Sequence, residues 1–440
     1  MAANIAQNPQ ITASAYTPIV YVIDGLTTED RYVLRVNING SPVATFKQPA
    51  NPSGVGIFDI SKVLQSYFSE KFVEETTYAT DNIGAHISYQ VEAWLETGQT
   101  PGTITTDQTR YAINAYDNWR TLGGDLTPFI PVPGQIACET TGVNALYNDP
   151  YRFLTNFPET YKVRPDEYKT LSFFAKLNVG GTNFGPNAAP FFVVFTYFLD
   201  GAQVAQGAYT LANFRGSSLR TDCQDMTVNI TDSNAITTIG VGPQNQADAG
   251  ITGTWDSYRV DVMSYNACDI NPITNCSSVP EMLAKADQVI YTANFEIDNS
   301  CEKFEPITIS FMNQYGVRDY YTFNKRNTKQ ITTGRNEYTK SLGSWSDTTF
   351  SIDPVGRGRT VFSSYAETEM TLSTDWMSDA VSEWMRELYM SPSTMAYING
   401  QWEPVVITTQ TYEEKTYARQ QLFQHEISIK FANNQKIQRG

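Results

Sequence analysis

Histidine is nearly absent from these 440 residues: only His86 and His425 are present. Each falls on the polar face of an alternating stretch, where a surface imidazole is the plain reading and a shared base or metal ligand the sharper one. Serine catalysis needs a base and an orienting acid, and there is no Gly-x-Ser-x-Gly elbow to place a nucleophile. No His-x-x-x-His, Cys-x-x-Cys or EF-hand spacing occurs, so no metal site is expected. No Walker-type glycine loop occurs either. Gly356-Arg357-Gly358-Arg359 reads as a flexible basic turn. Cysteine is sparse too, with Cys138, Cys223, Cys268, Cys276 and Cys301. An odd count, together with an N-terminus lacking a basic and then an apolar region, leads us to expect reduced thiols and no signal peptide. Cys268 and Cys276 could pair if oxidised. No run of about 18 apolar residues is present, so no membrane insertion is expected. Charge is scarce at 18%, against about 25% in typical domains. It is also lopsided, with 31 Lys+Arg against 46 Asp+Glu and a net charge of −15. That balance argues against a dedicated duplex-DNA binder and a polybasic membrane-surface protein, and no sequence-specific nucleic-acid partner is expected.

What the chain does have is aromatic residues, 26 Tyr and 23 Phe, and hydrophobicity of period two. In Arg31–Ile38 the residues Tyr32, Leu34, Val36 and Ile38 share a face, and Asn39-Gly40 follows as a hairpin signal. His86–Leu95 alternates in the same way. Phe191–Leu199 is apolar throughout and ends at Asp200-Gly201, which predicts a strand buried on both faces. Ile307, Ile309 and Phe311 alternate before a turn at Asn313–Gly316. Met395–Ile398 and Trp402–Thr408 flank Asn399-Gly400, and Glu426–Phe431 reads as the last strand. Two helices are expected. Asp59–Phe72 carries Ile60, Val63, Leu64, Tyr67 and Phe68 at helical spacing. Asp375–Met390 carries Met377, Val381, Trp384, Met385 and Leu388, with Ser391-Pro392 as its stop.

The fold class is therefore mainly β, with two or three antiparallel β-sandwich domains and one amphipathic helix each in the first and last. The expected divisions are an N-terminal arm over 1–15, a β-sandwich over 16–115 with the helix at 59–72, and an irregular linker over 116–164. A middle β-sandwich over 165–300 and a C-terminal β-domain over 301–440, with the helix at 375–390, complete the chain.

Three features are candidates for function. Glu296 and Asp298 lie on one face of a strand, as a glycosidase carboxylate pair would, although solvated strand-edge charges are the plainer explanation. Tyr315, Tyr320, Tyr321, Trp402 and Tyr412 could form a subunit interface or a sugar-stacking platform. Between Arg318 and Arg359 there are eight basic residues, Arg318, Lys325, Arg326, Lys329, Arg335, Lys340, Arg357 and Arg359, against four acids. This local balance of +4 reads either as a solvated loop or as a basic edge that meets an acidic surface of a neighbouring subunit.

Two stretches resemble virion proteins of tailed bacteriophages that infect Bacteroidota, crAss-like and related phages. One is INGSPVATFKQPANPSGVGIFDISKVLQSYF from Ile38. The other is the C-terminal third, with EPITISFMNQYGVRDYYTFNKRNTKQITTGRNEYTKSL, WMSDAVSEWMRELYMSPS, AYINGQWEPVVITTQTYEEKTY and HEISIKFANNQKIQR. That third is similar to tail, baseplate or collar-type structural proteins. The resemblance implies no enzyme and no cofactor. It implies a ring-forming structural subunit, made in the host bacterial cytoplasm and resident in the virion, with other copies of itself and neighbouring virion proteins as partners. The alternative is a carbohydrate-binding adhesin or receptor-binding component of the virion, with a host surface glycan as its partner. A polysaccharide-degrading enzyme is the third reading.

Overall fold

The computed structural model describes residues 3–25, 31–69, 72, 79–81, 84–98, 100–117, 122–126, 128–130, 151–158, 160–174, 191–210, 236–248, 250–265, 280, 283, 286–300, 303–352, 354–355, 358–412, 422–433 and 435–439. All five cysteines and Arg357 lie outside them. The fold is mainly β, with several separate, mostly antiparallel sheets. It divides into two compact units. Unit 1 is Met1–Asn299 with Asn313–Arg318, and unit 2 is Ser300–Met312 with Asp319–Gly440.

In unit 1 the alternating stretches become strands because one side chain in two can be buried. Arg31–Ile38 forms as expected and buries Tyr32, Leu34, Val36 and Ile38. It pairs with Ser41–Pro49 across Asn39-Gly40. Both turn residues have positive φ, 51° and 74°, as a two-residue hairpin of matching twist requires. The sheet runs Thr12–Ser14, Arg110–Ile113, His86–Thr97, Arg31–Ile38, Ser41–Pro49. A second sheet of Asn4–Gln7, Val20–Asp24 and Gly56–Asp59 contributes Tyr21, Ile23 and Phe58 to the same core. The result is a sandwich.

The next pair of sheets repeats the plan. Tyr161–Val163, Ala286–Ile297, Ser257–Tyr265, Phe191–Leu199 and Ala202–Thr210 form one sheet; Thr170–Phe174, Ile236–Gly240 and Ala79–Asp81 form the other. Between them Phe173, Val193, Phe195, Tyr197, Tyr258, Val260, Tyr291 and Phe295 are buried. Phe191–Leu199 has buried residues on both faces, from Val193 to Tyr197. A third cluster joins Ile113, Ala115, Leu126, Phe129, Leu154, Phe174, Ile236, Tyr315 and Val317. The Tyr291 hydroxyl beside it donates to the carbonyls of Phe129 and Phe174, at 2.9 and 3.2 Å.

Several expectations change here. The described part of the expected arm, residues 3–15, carries two strands. Asn4–Gln7 pairs with Val20–Asp24, Thr12–Ser14 runs parallel to Arg110–Ile113, and Ala3, Ala13 and Ala15 are buried. Within the expected irregular linker 116–164, Leu126, Phe129, Phe153 and Leu154 are core and Tyr161–Val163 is a strand. The helix expected over 59–72 is the short Ser61–Gln65, ending at Ser66. Ile60 and Leu64 are buried as its spacing implied, but Tyr67 is exposed. A further short helix, Pro243–Asp248, lies in the middle region.

Unit 2 is built on a sheet ordered Arg318–Phe323, Ile307–Met312, Thr394–Ile398, Gln401–Ile407, Glu426–Phe431, Gly358–Ser373, Asn327–Lys340. Gln435–Arg439, a strand beyond the expected last one, also pairs with Gly358–Ser373. The helix runs over Asp379–Met390, four residues later than its expected start. Ser378 is the reason: its hydroxyl accepts from the Val381 N–H, which satisfies a backbone donor of the first turn. Met377 precedes the helix in a two-residue strand, and the whole expected stripe is buried. The Trp384 ring lies 5.4 Å from Phe311, and its indole N–H donates to Asp319 at 2.9 Å.

Candidate functional site

The basic run is neither a loop nor a single patch. Four of its members, Lys329, Arg335, Lys340 and Arg359, lie on an arm in which the edge strand Asn327–Lys340 pairs antiparallel with Gly358–Ser373, itself joined on its other side by Glu426–Phe431 and Gln435–Arg439. Fourteen residues of strand span roughly 45 Å at about 3.3 Å per residue. Twelve of the fourteen in Asn327–Lys340 are exposed, so backbone pairing and cross-strand contacts, and not burial, hold this strand. Gly334 faces Tyr365, whose ring occupies the place a Cβ would take, an aromatic covering a glycine across the strands.

Residues opposite one another share a face. Lys329, Ile331, Thr333 and Arg335 therefore share one with Met370, Thr368, Ala366 and Ser364. The other face carries Glu367, Glu369 and Tyr365. The sheet ends at Asn327–Lys340, so this strand is an edge with Lys329, Arg335 and Lys340 along it. Beyond a bulge at Asn336/Glu337, Tyr338 and Phe362 meet at 6.5 Å. The chain continues into a small hairpin, Gly343–Trp345 with Phe350–Ile352. Trp345 is opposite Phe350 and Ile352 opposite Gly343, which places Trp345, Phe350 and Ile352 on one face. Trp345 is 64% exposed, Ile352 55% and Phe350 49%, and Leu342 beside them is 61% exposed.

Of the basic residues, Arg318, Lys325 and Arg326 lie off these two strands, while Lys329 and Arg359 lie on them. Arg318 belongs to unit 1, where its guanidinium sits 5.1 Å from the Phe72 ring. Lys325 pairs with Asp375 at 2.8 Å near the base of the arm, and the Arg326 carbonyl accepts from the Ser373 N–H. Lys329 lies 5.9 Å from the Phe431 ring. Arg359 approaches Glu337 at 3.8 Å.

The five candidate aromatics do not form one row. Tyr315 is buried in unit 1, 4.5 Å from Phe129, with its hydroxyl donating to Asn156. Tyr320 is buried and meets Trp402 edge-on at 6.3 Å. Tyr321 packs between Phe323 and Trp384. Tyr412 stacks on His425, 5.4 Å between ring centres.

His425 is more than a surface imidazole. Its Nε2 lies 2.7 Å from the Ser382 hydroxyl, and Tyr412 donates to the Ser382 carbonyl. A serine within reach of a histidine is the first requirement of a nucleophile and base. Here Ser382 is buried in the helix and the Tyr412 ring covers the imidazole, so the pair ties the helix to the segment that leads into Glu426–Phe431. Burial and the neighbouring Tyr412 push the hydroxyl of Tyr389, part of the same cluster, up to about 12.

Unit 1 contains a cleft of about 650 Å³ beside the strand Ala286–Ile297, lined by Tyr151, Phe157, Tyr161, Lys162, Asn294 and Glu296 among others. Glu296 is the one carboxylate among its described lining residues; Asp298, its expected partner in a carboxylate pair, is not among them. Asp298 lies beyond the end of the strand and gives its N–H to the Val163 carbonyl. Elsewhere in unit 1, Asp107 accepts from the Tyr21 hydroxyl at 2.9 Å and from Arg110 Nη2 at 3.1 Å. Arg110 also donates to the Pro9 carbonyl. Burial opposes ionisation of Asp107, but the hydrogen bonds from Arg110 and Tyr21 outweigh it and hold its carboxyl below the usual range. Sequence spacing gave no hint of this triad, whose members come from two sheets and a loop.

Among the described residues no group of three or more His, Cys, Asp or Glu could hold a metal ion, and no helix is long and apolar enough to cross a membrane. No family model and no curated protein matches this chain. Among solved structures it is similar to Drosophila OTK, extracellular domains 3–5, at 11% identity over 84% of this chain and 92% of that one, with a TM-score of 0.16. A score that low carries no argument.

Proposed function

We propose that this chain is a structural subunit of a tailed-phage virion, one that forms a ring in the tail, baseplate or head–tail collar through β-rich subunit interfaces. The resemblance of the Ile38–Phe68 stretch and the C-terminal third suggests the setting. The arm is the observation that carries the reading. A solvated loop would expose Thr, Lys and Asn; this segment is paired strand and also exposes Trp345, Phe350, Ile352 and Leu342. Large apolar side chains held out on regular structure mark an interaction surface. The chain would be made in the host cytoplasm and end in the virion, with copies of itself and adjoining virion proteins as partners.

The test is a reconstruction of the virion with this chain placed in its density. The expected result is several copies around the tail axis, with the arm at a subunit contact. A virion lacking the chain, or a single peripheral copy bound to host glycan, overturns the proposal. A glycan contact would instead favour the adhesin reading.

A further inference from the structure

The arm could meet three occupants: another arm, the body of a second copy, or an unrelated molecule. Charge separates the first two. The edge strand Asn327–Lys340 carries Lys329, Arg335 and Lys340 against Glu337 alone. Two such edges paired with each other would bring like charges into one ladder, which disfavours pairing. The chain's own negative charge lies elsewhere. Unit 1 has 17 Lys+Arg against 30 Asp+Glu, a balance of −13, whereas unit 2 has 14 against 16, a balance of −2. A basic edge repelled by its own twin and attracted by an acidic body favours a head-to-tail contact over a twofold one. Head-to-tail contacts close into rings or extend into filaments.

We infer that the arm's apolar tip, Trp345, Phe350 and Ile352 with Leu342, seats on unit 1 of a second copy of this chain, with Lys329 and Arg335 steering the approach. The charges contribute mainly rate and register. Tip aromatics buried at the centre of the contact supply the affinity, as Trp does at protein interfaces generally. This deepens the ring reading but does not depend on the virion, since two copies in solution carry every group it needs.

The experiment uses the full chain. Sedimentation velocity and native mass spectrometry, at low and high salt, should show concentration-dependent self-association that weakens as salt rises. The double variant Trp345→Ala/Phe350→Ala should keep the far-ultraviolet spectrum and melting curve of the parent, because both side chains are exposed. It should weaken association by on the order of 30-fold or more, the scale of losing an interface hot spot. A photo-crosslinker at position 345, in a mixture of isotopically light and heavy chains, should give light–heavy products joined to residues within 1–299. A chain that stays monomeric at tens of micromolar and low salt overturns the inference. So do arm-to-arm crosslinks, or crosslinks from virions that reach only other proteins or nucleic acid. Virion imaging fails separately: a chain absent from virions that still associates through its tip keeps this inference and loses the virion reading.

Discussion

Two strands of similar regularity show opposite ways of being a strand. Phe191–Leu199 is apolar along its length, lies between two neighbours and is buried from Val193 to Tyr197. Asn327–Lys340 is polar along most of its length, lies at a sheet edge and is exposed almost throughout. The first is held by burial, at about 25 cal/mol for each Å² of apolar surface removed from water. The second is held by its ladder with Gly358–Ser373, by Thr side chains suited to the pleat and by the Tyr365 ring over Gly334. Changes in the first strand should therefore be read in stability, and changes in the second in association.

The largest expected effects test the buried side. Phe195→Ala in unit 1 and Trp384→Ala in unit 2 should each cost about 3–5 kcal/mol, as large-to-small changes in packed cores. Chemical denaturation monitored for each unit checks this, and a transition that does not move would show that packing here is slack. Asp107→Asn comes next, at about 3 kcal/mol, because it leaves the buried Arg110 without its ion partner. The sign with pH follows from the depressed carboxyl. Its contribution is fully present above the ordinary Asp value of about 3.9 and is lost as pH falls through the lower folded value. The parent should thus lose stability in that acid range relative to Asp107→Asn, and parallel pH–stability curves would count against the triad.

Ser378→Ala should cost about 1 kcal/mol through loss of the helix cap, seen as a shift in the unit 2 transition. Smallest of all, Ile331→Ala on the arm should move stability by no more than about 0.5 kcal/mol. Reversal of Lys325, Arg326 and Lys329 to Glu should likewise leave each fold in place while slowing association. A large destabilisation from either would mean that the arm is held by more than its ladder, and the contrast between the two strands would fall.

The same contrast explains what was legible in the sequence. Arg31–Ile38, Phe191–Leu199 and Glu426–Phe431 were readable to the residue because burial writes itself as period two or as an unbroken apolar run. The Asn-Gly turns were readable because positive φ selects those residues. The arm was legible only as a charge imbalance, since Thr-Lys-Gln-Ile-Thr-Thr-Gly-Arg-Asn shows neither period and pairing alone leaves no hydrophobic trace. Trp345, Phe350 and Ile352 carry no sequence mark of their exposure, because an apolar residue in sequence reads as core until its exposure is known. The expected first helix is longer than the real one because Tyr67 and Phe68 continue the spacing. In the fold the backbone leaves the helix at Ser66, and the Ser69 carbonyl packs against Gly84 where no Cβ could fit. Tyr21 lies 86 residues before Asp107 in sequence, so no local pattern joins it to the Asp107–Arg110 pair three residues apart.

One feature of the third core cluster bears on the order in which the protein is made. Tyr315 and Val317 fill space against Phe129 and its neighbours in unit 1, yet they are translated after the first strand of unit 2, Ile307–Met312. Domains emerging from a ribosome tend to fold in sequence, the N-terminal one first. Here the earlier unit leaves the ribosome with a gap that only later residues close. A nascent chain arrested just past Asn299 would present an open apolar surface around Phe129, and chaperone binding there should fall once synthesis has passed Arg318.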